Sequence, residues 1–228
     1  MTAVAGRRPR GLARTGRLAV LAGASAFTVL LAQHTTTEAF TAQTGDTGNQ
    51  ATTATTFCTS PGTSANLAPT RDTAIYEVNA NANYSATGIG VGTGASGDAY
   101  TLLKFTLPTI PARCTVTAAT LYVYAKTPTA PATVNAYRST QAWTNSNTWN
   151  TLPRPGWTGT PASTAVSASA GWLSWDVKTL TQELVNGPDY GFLLKDSVDH
   201  HPTVTRYQTW ESLESYPTRA PYLVVSWG

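Results

Sequence analysis

The clearest pattern in the chain runs from Thr117 to Ala125, where apolar and polar positions alternate. Ala119, Leu121 and Val123 fall on one face, and Thr120, Tyr122 and Tyr124 on the other. That period of two is the signature of a half-buried strand. Around it the chain reads as short strands cut by turn signals. Asp72 to Val78, Tyr100 to Leu107, Thr133 to Arg138, Gly171 to Val177, Tyr190 to Lys195, Thr203 to Thr209 and Pro221 to Trp227 are strand-like. Ile89 and Val91 alternate among glycines, and Gly88 to Gly97 is expected to form a flexible turn. Only Val177 to Val185 has helical spacing, with Leu180 and Leu184 four apart and Asn186-Gly187-Pro188 as a stop. A parallel α/β sheet needs crossover helices, and the pattern offers none. The expectation is an all-β antiparallel β-sandwich of jelly-roll type with one short helix.

The beginning of the chain departs from this pattern. Arg7, Arg8, Arg10, Arg14 and Arg17 precede a run from Leu18 to Ala32 that is apolar except for Ser25 and Thr28. A basic segment before a short apolar one reads as a secretory signal, assigned to residues 1–39. The run falls short of the roughly 20 residues of a membrane-spanning helix, so no permanent membrane anchor is expected. The Arg7-Arg8 pair hints at twin-arginine export, and cleavage after Ala32 or after Ala39 suits the length of the run. Residues 40–57 are Thr-rich and without periodicity, and they bury too little apolar surface to order themselves. They read as a flexible linker, followed by one domain at 58–228. Export leads to an oxidising compartment, where the two cysteines, Cys58 and Cys114, are expected to pair.

Composition changes the picture in one respect. The formal charge is +3, but five of the fifteen basic residues lie in the leader. The ten that remain face eleven acids from residue 40 onward, so the domain itself is close to −1. A nucleic-acid binder needs a basic stripe to neutralise phosphates. That class is excluded.

Several segments, in order, resemble the DNRLRE domain, also grouped as carbohydrate-binding module family 96. They are Asp72-Thr73-Ala74, Asn83-Tyr84, Leu102 to Pro108 and Ala118 to Tyr124. Trp143-Thr144 to Thr148-Trp149-Asn150 follows, then Gly171-Trp172 through Trp175-Asp176-Val177, Tyr190 to Leu194, and Pro221 to Val225. The similarity covers about residues 58–228. Two positions depart from the family pattern: Asn145 stands where the family usually has Glu, and Thr209-Trp210-Glu211 where it tends to have Ser-Arg-Glu. The resemblance implies an extracellular β-sandwich that binds a polysaccharide or cell-wall glycan.

All seven tryptophans lie beyond position 142. Aromatic rings fill cores and also stack on the apolar faces of sugars. Trp149, Trp172 and Trp175 coincide with family-pattern positions and are expected to pack in the core. Trp172 and Trp175 are three apart, so a strand points them to opposite faces and one of the two is expected to meet solvent. Trp157, in a Pro- and Gly-rich stretch expected to be a loop, and Trp210 are the candidate sugar platforms. Arg206 and Tyr207 are the candidate hydrogen-bonding partners.

Calcium is carried as a candidate structural ion, with Asp72, Asp98, Asp176, Asp196, Asp199, Glu211 and Glu214 as oxygen donors. Asp196 to Asp199 with His200-His201 is the alternative transition-metal set, although a solvated hairpin tip is the favoured reading there. No nucleophile elbow or paired-histidine metalloprotease motif occurs, and enzymatic activity is not expected. The expected function is non-catalytic glycan binding. The competing one is a structural or adhesive surface protein that self-associates without a sugar ligand.

Overall fold

In a computed structural model the residues described are 57–228, apart from 129 and 153. The expected leader and nearly all of the linker lie outside them. The elements are β1 (Gly62–Thr63), β2 (Pro69–Tyr76), β3 (Ile89–Thr93), β4 (Ala99–Phe105), β5 (Val116–Pro128), β6 (Ala132–Ser139), β7 (Trp157–Val166), β8 (Gly171–Asp176), α1 (Lys178–Asn186), β9 (Phe192–Asp196), β10 (Arg206–Trp210) and β11 (Tyr222–Trp227). Every strand pairing is antiparallel. The strands run in the order β1-β11-β5-β10-β3-β4-β9-β6-β7, with β2 added to β4 and β8 added to β5.

The sheet curls so that its two ends face each other across one core. Leu121 and Val123 of β5, Val134 and Ala136 of β6, Phe192 and Leu194 of β9, and Leu223 of β11 all belong to a single buried cluster. The Trp175 indole N–H on β8 donates to Val134 O on β6 at 2.9 Å, which ties the two layers directly. This is the all-β jelly-roll-type sandwich that the alternation predicts. The helix is where its spacing placed it, with Leu180 and Leu184 buried against the same core. Cys58 and Cys114 are disulfide-bonded, which fastens the start of the domain to the foot of β5.

Two segments differ from expectation. Residues 89–93 form the fully buried strand β3, not a turn. Ile89 and Val91 point into the core, and the glycines between them let β10 approach. A Cβ on Gly92 would lie 2.1 Å from the Tyr207 ring, so only glycine fits there. Residues 157–166 form β7, so Trp157 and Thr158-Gly159 begin a strand instead of ending the expected loop. β7 ends the sheet order and pairs only with β6, and such an edge strand tolerates Pro161 and a polar sequence.

One buried charge shapes the pH response of the fold. Asp72 on β2 is fully buried, and its Oδ2 accepts the Leu213 backbone N–H at 2.7 Å. Oδ1 has no hydrogen-bond partner. Burial, reinforced by nearby Glu214 and only partly offset by the Leu213 N–H, pushes the carboxyl up from 3.8 to about 6. A raised folded value means that the protonated form suits the fold. The stability this gives is complete below the unfolded value and is lost as pH rises through about 6. Relative to Asp72→Asn, the native chain is expected to lose approaching 3 kcal/mol by about pH 7.5. Urea unfolding of both at about pH 4 and about pH 7.5 measures this, and parallel curves would exclude a buried ionisable Asp72.

Candidate functional site

The four residues singled out as a sugar site do not form one surface. Arg206, Tyr207 and Trp210 share β10, but strand alternation separates Tyr207 from the other two. Trp210 has no exposed surface and packs on Trp175 with ring centroids 5.9 Å apart. The expectation of a Trp210 platform is therefore corrected: an indole enclosed by core has no face to offer a sugar. The Arg206 guanidinium is taken by Asp196 through two bonds, Nε to Oδ2 at 2.8 Å and Nη2 to Oδ1 at 2.7 Å. Tyr207 lays its ring over Gly92 and donates its hydroxyl to Gly97 O at 3.0 Å. Trp157 is half-buried at the first position of β7, and Lys195 Nζ sits 4.8 Å from its ring centroid. Its ring also packs on Tyr100 and Tyr137, with centroids 6.0 and 5.9 Å away, so much of it serves packing.

The histidine pair also finds partners other than those expected. Asp199 is held by Lys195 Nζ at 2.6 Å, and Asp196 by Arg206. His200 turns instead to the start of β4. Its Nδ1 lies 2.8 Å from Asp98 Oδ2 and its Nε2 lies 3.0 Å from Glu77 Oε2. Its backbone N–H donates to Asp98 Oδ1 at 2.8 Å, and the His201 backbone N–H donates to Thr93 Oγ1 at 3.0 Å. The loop between β9 and β10 is thus pinned by fully buried Asp98, where a freely solvated hairpin tip was favoured. Glu77, Asp98 and His200 bring three donor atoms within 4.8 Å of one another. One imidazole with two carboxylates suits a zinc-class ion. Calcium takes roughly six to eight oxygens and fits this set poorly. As placed, both ring nitrogens already face carboxylates.

A different surface has the character of a binding face. The alternation in β5 sends Tyr122 and Tyr124 outward while Leu121 and Val123 enter the core. The register places Tyr222 of β11 opposite Tyr122, and Trp172 of β8 opposite Tyr124. Such cross-strand aromatic pairs stabilise a sheet. Tyr122 and Tyr222 stack at 4.5 Å and 13°. Trp172 stands nearly upright to both neighbours, at 72° and 5.2 Å from Tyr222 and at 83° and 5.4 Å from Tyr124. Trp172 is 45% exposed and Tyr216, in the loop before β11, is 66% exposed. The Arg219 guanidinium covers Tyr124, 4.5 Å from its ring centroid. Burial pushes the Tyr222 hydroxyl up, with Tyr122 adding to the effect, so it remains a neutral hydrogen-bonding group at physiological pH.

Of the pair Trp172 and Trp175, Trp172 is the one that meets solvent, although its family-pattern position points to the core. The signals that locate it lie in the sequence: the three-residue spacing from Trp175, and the outward Tyr122 and Tyr124 on the neighbouring strand. Trp149 and Trp175 are buried as expected. Beside Trp172 a concavity of about 320 Å³ is lined by residues of the segment before β2 and of the loop before β11.

No curated protein matches the chain. The model of carbohydrate-binding module family 96 matches residues 63–227, which is the span from β1 to the last residue of β11. Modules of this kind bind carbohydrate and do not cleave it. The chain's disulfide and its carbohydrate-binding family fit an extracellular setting; no helix among the described residues is long and apolar enough to cross a membrane. The chain belongs to carbohydrate-binding module family 96.

Proposed function

We propose that the chain is a secreted module that holds an extracellular or cell-wall polysaccharide by stacking a sugar on Trp172, without cleaving it. The observation that carries this reading is a large indole left 45% exposed on a tyrosine-lined sheet face, in a carbohydrate-binding family. Burying such a ring inside would have stabilised the fold, so its exposure calls for a ligand or partner. Aromatic faces match the apolar C–H faces of pyranoses, and the tyrosine hydroxyls supply the hydrogen bonds at the edge. Shallow stacking desolvates little surface, so affinities in the micromolar to millimolar range are expected. This reading moves the platform from Trp157 and Trp210 to Trp172.

Trp172→Ala is expected to abolish retention on the glycan and to lower the melting temperature by only about 3–6 °C, since nearly half of the residue already meets water and two cross-strand ring contacts are lost. Affinity electrophoresis in polysaccharide gels, paired with thermal denaturation, measures both. Unchanged retention in this variant would remove Trp172 from the site. The competing reading, a surface-assembly subunit, draws on the terminal position of β7, whose outer edge pairs with no strand among the described residues. Sedimentation at rising protein concentration separates the two: self-association without glycan retention favours assembly.

A further inference from the structure

The geometry of the aromatic face constrains what kind of sugar it takes. Resting on the reading above, we infer that the site receives a single neutral pyranose, the end or a side branch of a chain, rather than a run of consecutive rings or a flat crystalline surface.

Ring orientation is the first ground. A polymer lying flat needs aromatic faces in one plane, spread along its length. Here Trp172 is turned 72° from Tyr222 and 83° from Tyr124. Tyr122 and Tyr222 each spend one face on the other. All these neighbouring centroids fall within 5.4 Å. These four rings crowd the footprint of about one sugar and form a corner, and among the four Trp172 is the exposed one.

Size and walls are the second ground. The adjoining concavity holds about 320 Å³, at the lower end of the roughly 300–1,000 Å³ of small-molecule sites. Asn66, Tyr216, Pro217, Thr218 and Tyr222 enclose it together with Trp172. These walls come from the segment before β2 and the loop before β11, and a space of this size suits about one sugar ring.

Polarity is the third. The lining has amide, hydroxyl and phenol groups but no Lys, Arg, Asp, Glu or His. Arg219, next in sequence to the lining residue Thr218, directs its guanidinium over Tyr124. Hydroxyl-rich neutral sugars match amide and hydroxyl partners. A uronic acid would bring a carboxylate to a lining that offers no cation of its own, the neighbouring Arg219 guanidinium being stacked on Tyr124.

The test is isothermal titration of the chain with gluco-, galacto-, manno- and xylo-oligosaccharides of increasing length, with oligouronates alongside, plus retention on the matching polymers before and after limited endo-hydrolysis. The expected result is binding to a neutral series, with affinity flat from the shortest members upward. Polymer retention should rise after hydrolysis as chain ends multiply. Asn66→Ala and Thr218→Val should each weaken that binding about tenfold without lowering the melting temperature. Affinity that climbs with each added ring, or a preference for oligouronates, would overturn the inference while leaving glycan binding intact. Failure to bind every oligomer and every polymer would bring down both the inference and the functional reading beneath it.

Discussion

Trp210→Ala is expected to destabilise the domain by about 3–5 kcal/mol, the cost of emptying a core of a large aromatic ring. Trp210 is fully buried where three strands meet: on β10 it pairs with Ile89 of β3 and with Ala125 of β5. The register slips between Thr209 and Trp210, and the indole fills the space at that irregularity against Trp175. Its ring N–H is buried with no hydrogen-bond partner among the described residues. An unsatisfied buried donor costs about 1–3 kcal/mol, so Trp210→Phe should be much milder than Trp210→Ala. Phe keeps most of the packing and removes the orphan N–H. Urea unfolding of the two variants gives the comparison, and glycan retention by the folded fraction should be unchanged in both. A Trp210→Ala chain that kept its stability and lost its retention would return Trp210 to the surface.

The second large effect belongs to the disulfide. Cys58 and Cys114 are 56 residues apart in sequence, and closing a loop of that length removes about 4 kcal/mol of entropy from the unfolded chain. Replacing both cysteines by alanine, or reducing the bond, should lower the melting temperature by roughly 10 °C. The loss should be felt first at β1, a two-residue strand that pairs with β11 through Gly62–Trp227 and Thr63–Ser226. The Trp227 indole N–H donates to Ser60 O at 3.0 Å, a contact that depends on keeping residues 58–60 in place. The aromatic face is built on β5, β8 and β11, so sugar binding at moderate temperature should persist. Equal melting of bridged and unbridged chains would mean that the bond adds nothing to the fold.

The layers of this fold were legible because its central strands obey simple rules. β5 alternates from Ala119 to Ala125, and the helix shows Leu180 and Leu184 at the spacing that a core-facing turn requires. β3 and β7 escaped for opposite reasons. In β3, glycine alternates with Ile89 and Val91 because β10 lies too close for side chains on that face, and glycine reads as a turn when the neighbour is unknown. β7 has few apolar residues because it is an edge strand, and its pairing depends on β6 rather than on its own pattern.

The site was less legible than the fold. Trp157 and Trp210 were weighed by local context, as a loop residue and as a departure from the family pattern, whereas exposure is set by which face of which strand a residue occupies. Trp210 follows Arg206 by four positions in a strand, so both face the same way, and that way is inward. Trp172 was visible through its spacing from Trp175, but choosing between the two needed the register of β8 on β5. The link from His200 to Asp98 and Glu77 spans roughly a hundred residues of chain and leaves no local trace.

The disulfide also decides how the domain transmits a pull. A force applied to the chain just before Cys58 passes through the sulfur bridge to Cys114, at the foot of β5. That strand is gripped by β8, β10 and β11, and the neighbouring Thr115 and Gly228 exchange backbone hydrogen bonds at 3.1 Å. The polypeptide between the two cysteines, with β1 to β4 inside it, lies outside the force path and cannot be drawn out while the bridge holds. A glycan gripped at Trp172 on β8 would therefore pull against β5 almost directly. Forces applied at these two points would load the same few strands and bypass β1 to β4.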